Sequence, residues 1–220
     1  MNYFNSEDKA KEVVAEIGEE RALAVKADVR DKQQVEAMVD LAIARFGKID
    51  VAVNNALINF EFNPVTQEKA ADLSWETYLE QFEGSIKSSL NIVQAVLPSM
   101  TDNKYGRIIN IGTNLFQNPV VPYHQYTTAK AALLGFTRNM AKELGPNGIT
   151  VNMVSGGLLK TTDASKVTTP EVFQLIADSS ALQIVTSPED LAEVVGFLGT
   201  EASRAVTGQN ITVDGGLTMN

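Results

Sequence analysis

The fold is decided by residues 107–157, which read RIINIGTNLFQNPVVPYHQYTTAKAALLGFTRNMAKELGPNGITVNMVSGG. A short apolar run at 108–111 is followed by glycine, and a second apolar run at 149–154 comes after a long helical pattern. Short apolar runs of this kind predict strands buried on both faces of a parallel sheet. In such a sheet, ligands bind beyond the carboxyl ends of the strands. Thr113 and residues 155–157 are therefore expected at the ligand edge.

Tyr126 and Lys130 are four residues apart in the predicted helix, so their side chains lie on one face, one turn apart. A phenol has an ordinary pKa of about 10, and a nearby ammonium group favours the phenolate and lowers that pKa. Thr113 adds a hydroxyl that can hold a substrate oxygen. The three side chains therefore suit proton transfer to a carbonyl or from an alcohol. The same spacing also fits a packed tyrosine beside a solvated lysine, and spacing alone leaves that alternative open.

The composition argues against several classes of protein. The 220 residues carry a formal net charge of −9, which argues against nucleic acid and anionic membranes as partners. No apolar run is long enough to cross a bilayer, and the first residues lack the pattern of a signal peptide. Because there is no cysteine, we expect no disulfide or thiolate chemistry and a cytoplasmic location. Asp163 and Asp178 lack partners at metal-ligand spacing, so no metal site is expected.

Strand and helix patterns alternate through the rest of the chain, which predicts an α/β fold with a doubly wound parallel sheet in a single domain over residues 1–220. A helical period runs from Trp75 to Met100, and Pro98 near its end predicts that the helix stops about there. Ser187 begins the last helix as an N-cap. Residues 57–74 show no steady period, so that loop either closes over a substrate or is a surface excursion. The strand patterns cover residues 22–29, 49–53 and 210–213.

Several motifs, taken together, make the chain resemble the short-chain dehydrogenase/reductase family, and within it the bacterial 3-oxoacyl-acyl-carrier-protein reductases. The interval of thirteen residues from Thr113 to Tyr126 is similar to that family's interval between its serine and its tyrosine. The motifs that carry the resemblance span nearly the whole chain: Ala27-Asp28-Val29, Asn54-Asn55-Ala56, Tyr126-x-x-x-Lys130, Val151-Asn152, Thr207-Gly208-Gln209 and Val213-Asp214-Gly215-Gly216.

The resemblance implies an NAD(P)-dependent homo-oligomer, a tetramer, that reduces a small-molecule carbonyl substrate of the 3-oxoacyl type, either free or carried on acyl carrier protein. It makes Tyr126 the acid/base, and Lys130 the group that lowers the tyrosine pKa and holds the nicotinamide ribose. Thr113 orients the carbonyl, and Ser85 stands where the family has a relay asparagine. The implied cofactor-binding residues are Asp28, Val29, Asn54, Asn55, Ala56, Tyr126, Lys130, Gly156 and Gly157.

The largest departure from the family's pattern concerns its opening segment. The family has a first strand and a glycine-rich turn that cradles the cofactor pyrophosphate at a helix N-terminus, and residues 1–220 contain no such segment. That strand would lie between the one ending at Tyr3 and the one at 49–53. The expected fold is therefore a Rossmann-like sheet missing its first βα unit, with two neighbouring strands left unpaired.

Four single positions also differ from the family's usual residues. Leu57 and Gly156 replace a glycine and a proline. Thr113 replaces serine and keeps the hydroxyl, although its methyl group narrows the site. Ser85 replaces asparagine, so it can hold a water but lacks an amide's paired donor and acceptor.

The family's cofactor-selecting residue falls within Asn2–Ser6, where NAD-specific members carry an acidic side chain for the ribose 2′-hydroxyl. No carboxylate precedes Glu7, and this stretch also lacks an arginine or lysine for a 2′-phosphate, so the preference for NADPH is weak. Two alternatives to an active enzyme stay open. The chain is a catalytically silent relic or binding subunit that cannot hold a dinucleotide, or its start codon is misassigned.

Overall fold

The structure, a computed structural model, describes residues 1–60, 62–63, 65–160, 162 and 165–219. Pro64, in the predicted loop, and Asp163, considered above as a metal ligand, lie outside these residues. The elements in chain order are β1 (Asn2–Tyr3), α1 (Glu7–Ile17), β2 (Val25–Lys26), α2 (Lys32–Phe46), β3 (Val51–Asn54), α3 (Trp75–Phe82), a π-helical turn (Glu83–Lys87), α4 (Ser88–Asn103), β4 (Gly106–Thr113), α5 (His124–Leu144), β5 (Ile149–Gly156), α6 (Pro170–Ser179), α7 (Pro188–Leu198) and β6 (Asn210–Val213).

The predicted parallel sheet is confirmed, and it is divided into two parts. Four strands pair in the order β3-β4-β5-β6, all parallel, while β1 and β2 form a separate parallel pair. The apolar run of β4 is buried on both faces because successive side chains point to opposite sides of a strand. Ile108 packs towards α2, α4 and α5, whereas Ile109 packs towards α7. Helices therefore cover both faces, as in a Rossmann-like fold.

A groove of about 470 Å³ separates β1 from β3, at the place where the missing strand was predicted. In the register of β3 with β4, the main chains of Asp50 and Ala52 face β4, so those of Val51 and Val53 face the groove. The side chains of Val51 and Val53 are 39% and 44% exposed, although parallel strands are normally covered on both faces. The groove is thus an open edge of the sheet.

Three element boundaries differ from the sequence predictions. The strand predicted at 22–29 is reduced to Val25–Lys26, and the one at 49–53 is shifted to Val51–Asn54, because both border the open groove and each pairs on one side. The helix predicted to stop near Pro98 continues to Asn103. Pro98 is exposed, so the carbonyl that loses its helical partner can be solvated. The predicted cap of α7 is present as a full capping box at Ser187, and Asp31 caps α2.

The helix predicted from Trp75 onward is interrupted by the π-helical turn Glu83–Lys87. Ser88 Oγ donates to the carbonyl of Gly84, and Ser89 Oγ donates to that of Ser85 over 2.7 Å, so buried hydroxyls bond carbonyls in the widened turn. Gly84 also allows close approach, because a Cβ there would lie 2.6 Å from the Ile58 side chain. The turn therefore brings Ser85 and the loop after β3 together.

Candidate active site

Thr113 and Tyr126 meet at the carboxyl edge of the sheet. Thr113 ends β4 directly beside Gly156 of β5, and Tyr126 lies in the first turn of α5. Both side chains are buried, and the Thr113 hydroxyl lies close enough to the phenol to lower the pKa of Tyr126. The Thr113 hydroxyl also accepts from the Leu115 amide over 3.3 Å, which fixes its direction. The structure thus brings together the two hydroxyls that were expected to bind a carbonyl oxygen.

Lys130 is buried, so the alternative of a packed tyrosine beside a solvated lysine is wrong, because this lysine is not solvated. Its side chain is among the buried polar ones at 5% exposure, and Nζ donates to the Ile111 carbonyl over 2.7 Å. Nζ lies 5.9 Å from the centre of the Tyr126 ring. Burial lowers the pKa of Lys130 to about 8, because an ammonium group loses hydration there. This lysine can gain or lose a proton near physiological pH.

The expectation that Lys130 lowers the pKa of Tyr126 is not met in this structure. Burial raises the pKa of Tyr126 to about 12, and the hydrogen bond with Thr113 offsets only part of that increase. The physical reason is that the phenol is cut off from water while the Lys130 ammonium is directed at a main-chain carbonyl. A phenol with a raised pKa stays protonated at neutral pH, so it suits the donation of a proton better than its removal.

Ser85 and the Asn54–Ala56 segment lie at the same groove as Lys130. Together with Lys130 they line the upper end of the groove between the two parts of the sheet. Asn54 donates to Asn110 over 2.7 Å, and Asn110 donates to Thr137 over 2.8 Å, so a chain of buried amides and a hydroxyl joins β3, β4 and α5. This chain holds the end of β3 against the strand that carries Thr113.

Asp28 and Val29 lie across the groove, next to β1. The Asp28 carboxylate forms a bidentate pair with Arg30, with distances of 2.7–3.2 Å, and this ion pair holds the pKa of Asp28 below its usual range. The Val29 carbonyl accepts from buried Asn91 of α4 over 3.0 Å. A second cavity of about 430 Å³ is lined here by Asp28, Val29 and Ala56.

Gly156 ends β5 beside Thr113, and Gly157 follows it. A Cβ on Gly157 would come within 2.8 Å of Asp214, so this glycine permits the close packing of the chain after β6. Asp214 accepts from the amides of Gly216 and Thr218 and from the Asn114 side chain, all at 3.0–3.1 Å. The Asp-Gly-Gly motif therefore anchors the end of the chain against the ligand edge.

The sequence reasoning missed two features of the site. Phe60 and Phe62, from the loop after β3, form an aromatic cluster with Tyr123 and Tyr126. Phe60 stacks on the Tyr126 ring at 4.9 Å and 26°, and Phe62 meets that ring edge-on at 5.1 Å. The signal was two phenylalanines separated by one residue, the first of them four residues after the Asn-Asn-Ala motif.

The second missed feature is a pair of cations at the cavity beside β1. Lys9, from the first turns of α1, and Arg30, after β2, line it with Asn5 and Ser6. The helix that begins at Glu7 brings Lys9 back towards the strand end, which linear inspection of Asn2–Ser6 did not show.

A parallel Rossmann-like sheet with a hydroxyl pair and a buried lysine at its carboxyl edge is the arrangement of an NAD(P)-dependent oxidoreductase. Residues 1–218 match the family model described as enoyl-(acyl carrier protein) reductase. The chain belongs to the short-chain dehydrogenase/reductase family. The resemblance read from the motifs is thereby confirmed.

Two curated relatives illustrate the range of similar proteins. The 3-oxoacyl-[acyl-carrier-protein] reductase FabG of Staphylococcus aureus strain Mu50 is 31% identical over 221 residues, which is 100% of this chain and 87% of the relative. The 7alpha-hydroxysteroid dehydrogenase of Escherichia coli strain K12 is 32% identical over 211 residues, which is 95% of this chain and 80% of the relative. Similar identity to both relatives leaves the substrate unassigned.

Solved structures agree with the fold. A blue fluorescent protein from a metagenomic library, in complex with NADPH, has a TM-score of 0.84 and 33% identity over 99% of this chain and 86% of that one. The NADPH-dependent reductase YwfH, involved in bacilysin biosynthesis, has a TM-score of 0.86 at 23% identity, over 100% of this chain and 87% of that one, and so supports the fold alone.

The residues present fit the two ends of a nicotinamide dinucleotide. The cavity beside β1 offers Asp28, Val29 and the Lys9 cation for an adenosine end, while Lys130 and Ser85 line the other end of the cleft. Ala56 borders both cavities, so the two ends are adjacent. Among the described residues, no group of acidic, histidine or cysteine side chains is placed to hold a metal ion. In the same part of the chain, no helix is long and apolar enough to cross a membrane.

Proposed function

We propose that this chain is an NADPH-dependent carbonyl reductase in which Tyr126 donates a proton to a substrate oxygen held by Thr113. The observation that carries the proposal is the pair of buried hydroxyls at the sheet's carboxyl edge, one helical turn from a buried lysine. A bound dinucleotide would supply the hydride to the carbonyl carbon. The phenol then supplies the proton to the oxygen, so that a ketone becomes an alcohol.

The protonation state of the phenol is compatible with reduction. Because burial raises the pKa of Tyr126 to about 12, the phenol holds its proton at neutral pH, as a proton donor must. Lys130, with a pKa of about 8, can return a proton to the site, and Ser85 lines the same cleft as the position for a relay water. The 3-oxoacyl class, free or on acyl carrier protein, is supported by the similarity to FabG.

NADPH is preferred over NADH in this proposal because of the charges at the cavity beside β1. A 2′-phosphate there would meet the Lys9 ammonium and the Ser6 hydroxyl, whereas Asp28 is already paired with Arg30. The NADPH ligand of the metagenomic neighbour agrees with this choice. The lack of an acidic residue before Glu7 points the same way.

We also propose a homo-oligomer in the cytoplasm, a tetramer by family resemblance. Trp75 and Leu79 are 65% and 47% exposed on α3, which a second copy would cover. A chain without cysteine suits a reducing compartment. Sedimentation analysis tests the assembly directly.

The decisive experiment removes the phenolic hydroxyl and changes little else. Tyr126→Phe should lower kcat by about 100-fold or more, which is the usual scale for general acid catalysis. Tyr105→Phe is the matched control, because that phenol precedes β4 at the opposite end of the sheet. Thr113→Ser should keep most of the activity, and Thr113→Val, which keeps the shape but removes the hydroxyl, should lose it. Equal turnover by Tyr126→Phe and Tyr105→Phe would contradict the assigned role.

The alternative, a silent relic or binding subunit, is favoured by one observation, the open groove where a central strand is expected. The pyrophosphate of a dinucleotide needs main-chain amides that a glycine-rich turn usually supplies. Titration with NADPH, followed by calorimetry, separates the two hypotheses. Saturable binding supports the reductase, and its absence supports the alternative.

A further inference from the structure

The aromatic cluster above Tyr126 is a built feature of this chain. Phe60 lies 5.4 Å from Tyr123 and Phe62 lies 5.6 Å from it, both nearly perpendicular, so the two phenylalanines contact both tyrosines. Phe60 and Phe62 also pack on each other at 4.8 Å. With these rings in place, Tyr126 keeps 8% exposure. A substrate that reaches the Tyr126 hydroxyl must therefore lie against these rings.

The segment that carries Phe60 is tied to the helix behind it. The buried Gln81 side chain donates to the Ile58 carbonyl over 3.0 Å, and Asn59 donates to Glu80 over 3.0 Å. Ile58 packs on Gly84, where no Cβ intervenes. Three contacts with α3 and the π-helical turn thus fix the start of the loop and direct Phe60 onto Tyr126.

The chemistry of this region defines what it can bind. The rings supply flat apolar faces, and the Thr113 and Tyr126 hydroxyls supply the polar contact at one point. The Lys130 ammonium is directed away from these rings, to the Ile111 carbonyl. An apolar, ring-bearing ligand with one carbonyl oxygen matches this pattern, since aromatic faces add about 0.5–1.5 kcal/mol per pair beyond simple burial.

We propose that Phe60 and Phe62 determine substrate specificity and select ketones whose carbonyl is attached to a flat aromatic ring. The inference rests on the proposed function, because it places the substrate oxygen on Thr113 and Tyr126. The substrate ring contacts the Phe60 and Phe62 rings, which already pack on the Tyr126 ring, while its carbonyl oxygen lies at the two hydroxyls. A linear 3-oxoacyl chain gains no such contact.

The test compares two ketones of similar size that differ in the flatness of the ring. Acetophenone carries a planar aromatic ring, and cyclohexyl methyl ketone carries a puckered one. Binding is measured by NMR titration without cofactor, with contacts to the Thr113 methyl group locating the ligand. We expect acetophenone to bind the wild-type protein roughly 2- to 13-fold more tightly, which is the ring contact converted to a ratio.

Variants of Phe60 and Phe62 test whether the loop causes the difference in affinity between the two ketones. Phe60→Leu keeps an apolar side chain and should bring the ratio close to one, and Phe62→Leu should reduce it. Trp75→Leu is the matched control, because Trp75 is an exposed ring that stacks on Tyr78 away from the cluster, and it should leave the ratio unchanged. A ratio that survives Phe60→Leu, or no saturable binding of acetophenone to the wild-type protein, would overturn the proposal.

A second readout covers the case in which a variant perturbs folding. Phe60→Ala readmits water to Tyr126, so the phenolate absorbance of that residue, identified by difference from Tyr126→Phe, should shift to lower pH from about 12. An unchanged titration in folded Phe60→Ala would show that Phe60 does not cover the phenol. Neither readout needs turnover, so failure here differs from failure of Tyr126→Phe to lower activity.

Discussion

Replacing Lys130 by methionine should stabilise the protein at neutral pH. Burial lowers the pKa of Lys130 from an ordinary value of 10.5 to about 8, and each pH unit corresponds to about 1.4 kcal/mol. The protonated ammonium therefore costs the folded state about 3 kcal/mol. Lys130→Met removes that cost and loses the hydrogen bond to the Ile111 carbonyl, which is worth about 1 kcal/mol. A net gain of about 1–2 kcal/mol remains.

The dependence on pH gives a sharper signature than the gain itself. Below about pH 8 both folded and unfolded states carry the proton, so the full cost is present. Between pH 8 and 10.5 the folded state loses its proton first, so the stability of the wild-type protein rises with pH. Tyr126 acts in the opposite direction above pH 10, because its folded pKa is about 12, so measurements stop at pH 10.

Urea denaturation of both proteins at pH 7 and pH 10 tests this reasoning. The wild-type protein should gain about 2–3 kcal/mol relative to Lys130→Met over that range. Lys142→Met, an exposed lysine of the same helix, controls for the loss of a charge. A Lys130→Met variant that is less stable at pH 7, or that follows the wild-type pH dependence, would refute the burial of a costly charge. A confirmed cost would mean that the chain keeps this lysine for chemistry rather than for stability.

Two further predictions concern the cofactor and the groove. Lys9→Gln should raise the KM for NADPH about 10-fold, a loss of about 1.4 kcal/mol, and leave the KM for NADH unchanged. Lys11→Gln, on the same helix, should change neither KM. A wild-type preference for NADH would contradict the choice of cofactor. Placing a strand–helix segment of about 30 residues with a glycine-rich turn before Met1 should raise the urea midpoint and NADPH affinity, because it pairs the main chains of Val51 and Val53. The same segment with proline in its strand should do neither, and micromolar NADPH binding by residues 1–220 alone would show that the segment is not needed.

The sequence sufficed for those parts of the fold that depend on local chemistry. The run 108–111 predicted β4, because adjacent apolar side chains such as Ile108 and Ile109 point to opposite faces, and both faces are covered in a parallel sheet. Ser187 predicted the start of α7, because its hydroxyl and the Asp190 carboxylate bond main-chain amides within one turn. The strand at 210–213 was also predicted with its observed bounds.

What the sequence could not supply was the environment of the site. Spacing placed Lys130 near Tyr126, but the direction of its ammonium group depends on the Ile111 carbonyl of another element. The pKa of Tyr126 depends on Phe60 and Phe62, which come from an aperiodic loop some sixty residues earlier. Lys9 reaches the cavity beside β1 because the turns of α1 bring it there. Each of these contacts is tertiary, so no local pattern encodes it.

The two halves of the proposed function rest on different parts of the sheet. Thr113, Tyr126 and Lys130 belong to β4 and α5, which lie in the continuous four-stranded part with its buried strands. Asp28 follows β2 and Lys9 lies in α1, so both are held by the β1–β2 pair, across a groove from the rest. The proton-transfer groups can therefore keep their geometry while dinucleotide binding depends on how firmly the pair is held. Loosening of the β1–β2 pair should therefore abolish cofactor binding before it disturbs the Thr113 and Tyr126 hydroxyls. Binding of an aryl ketone in the absence of cofactor is the measurement that tests this order.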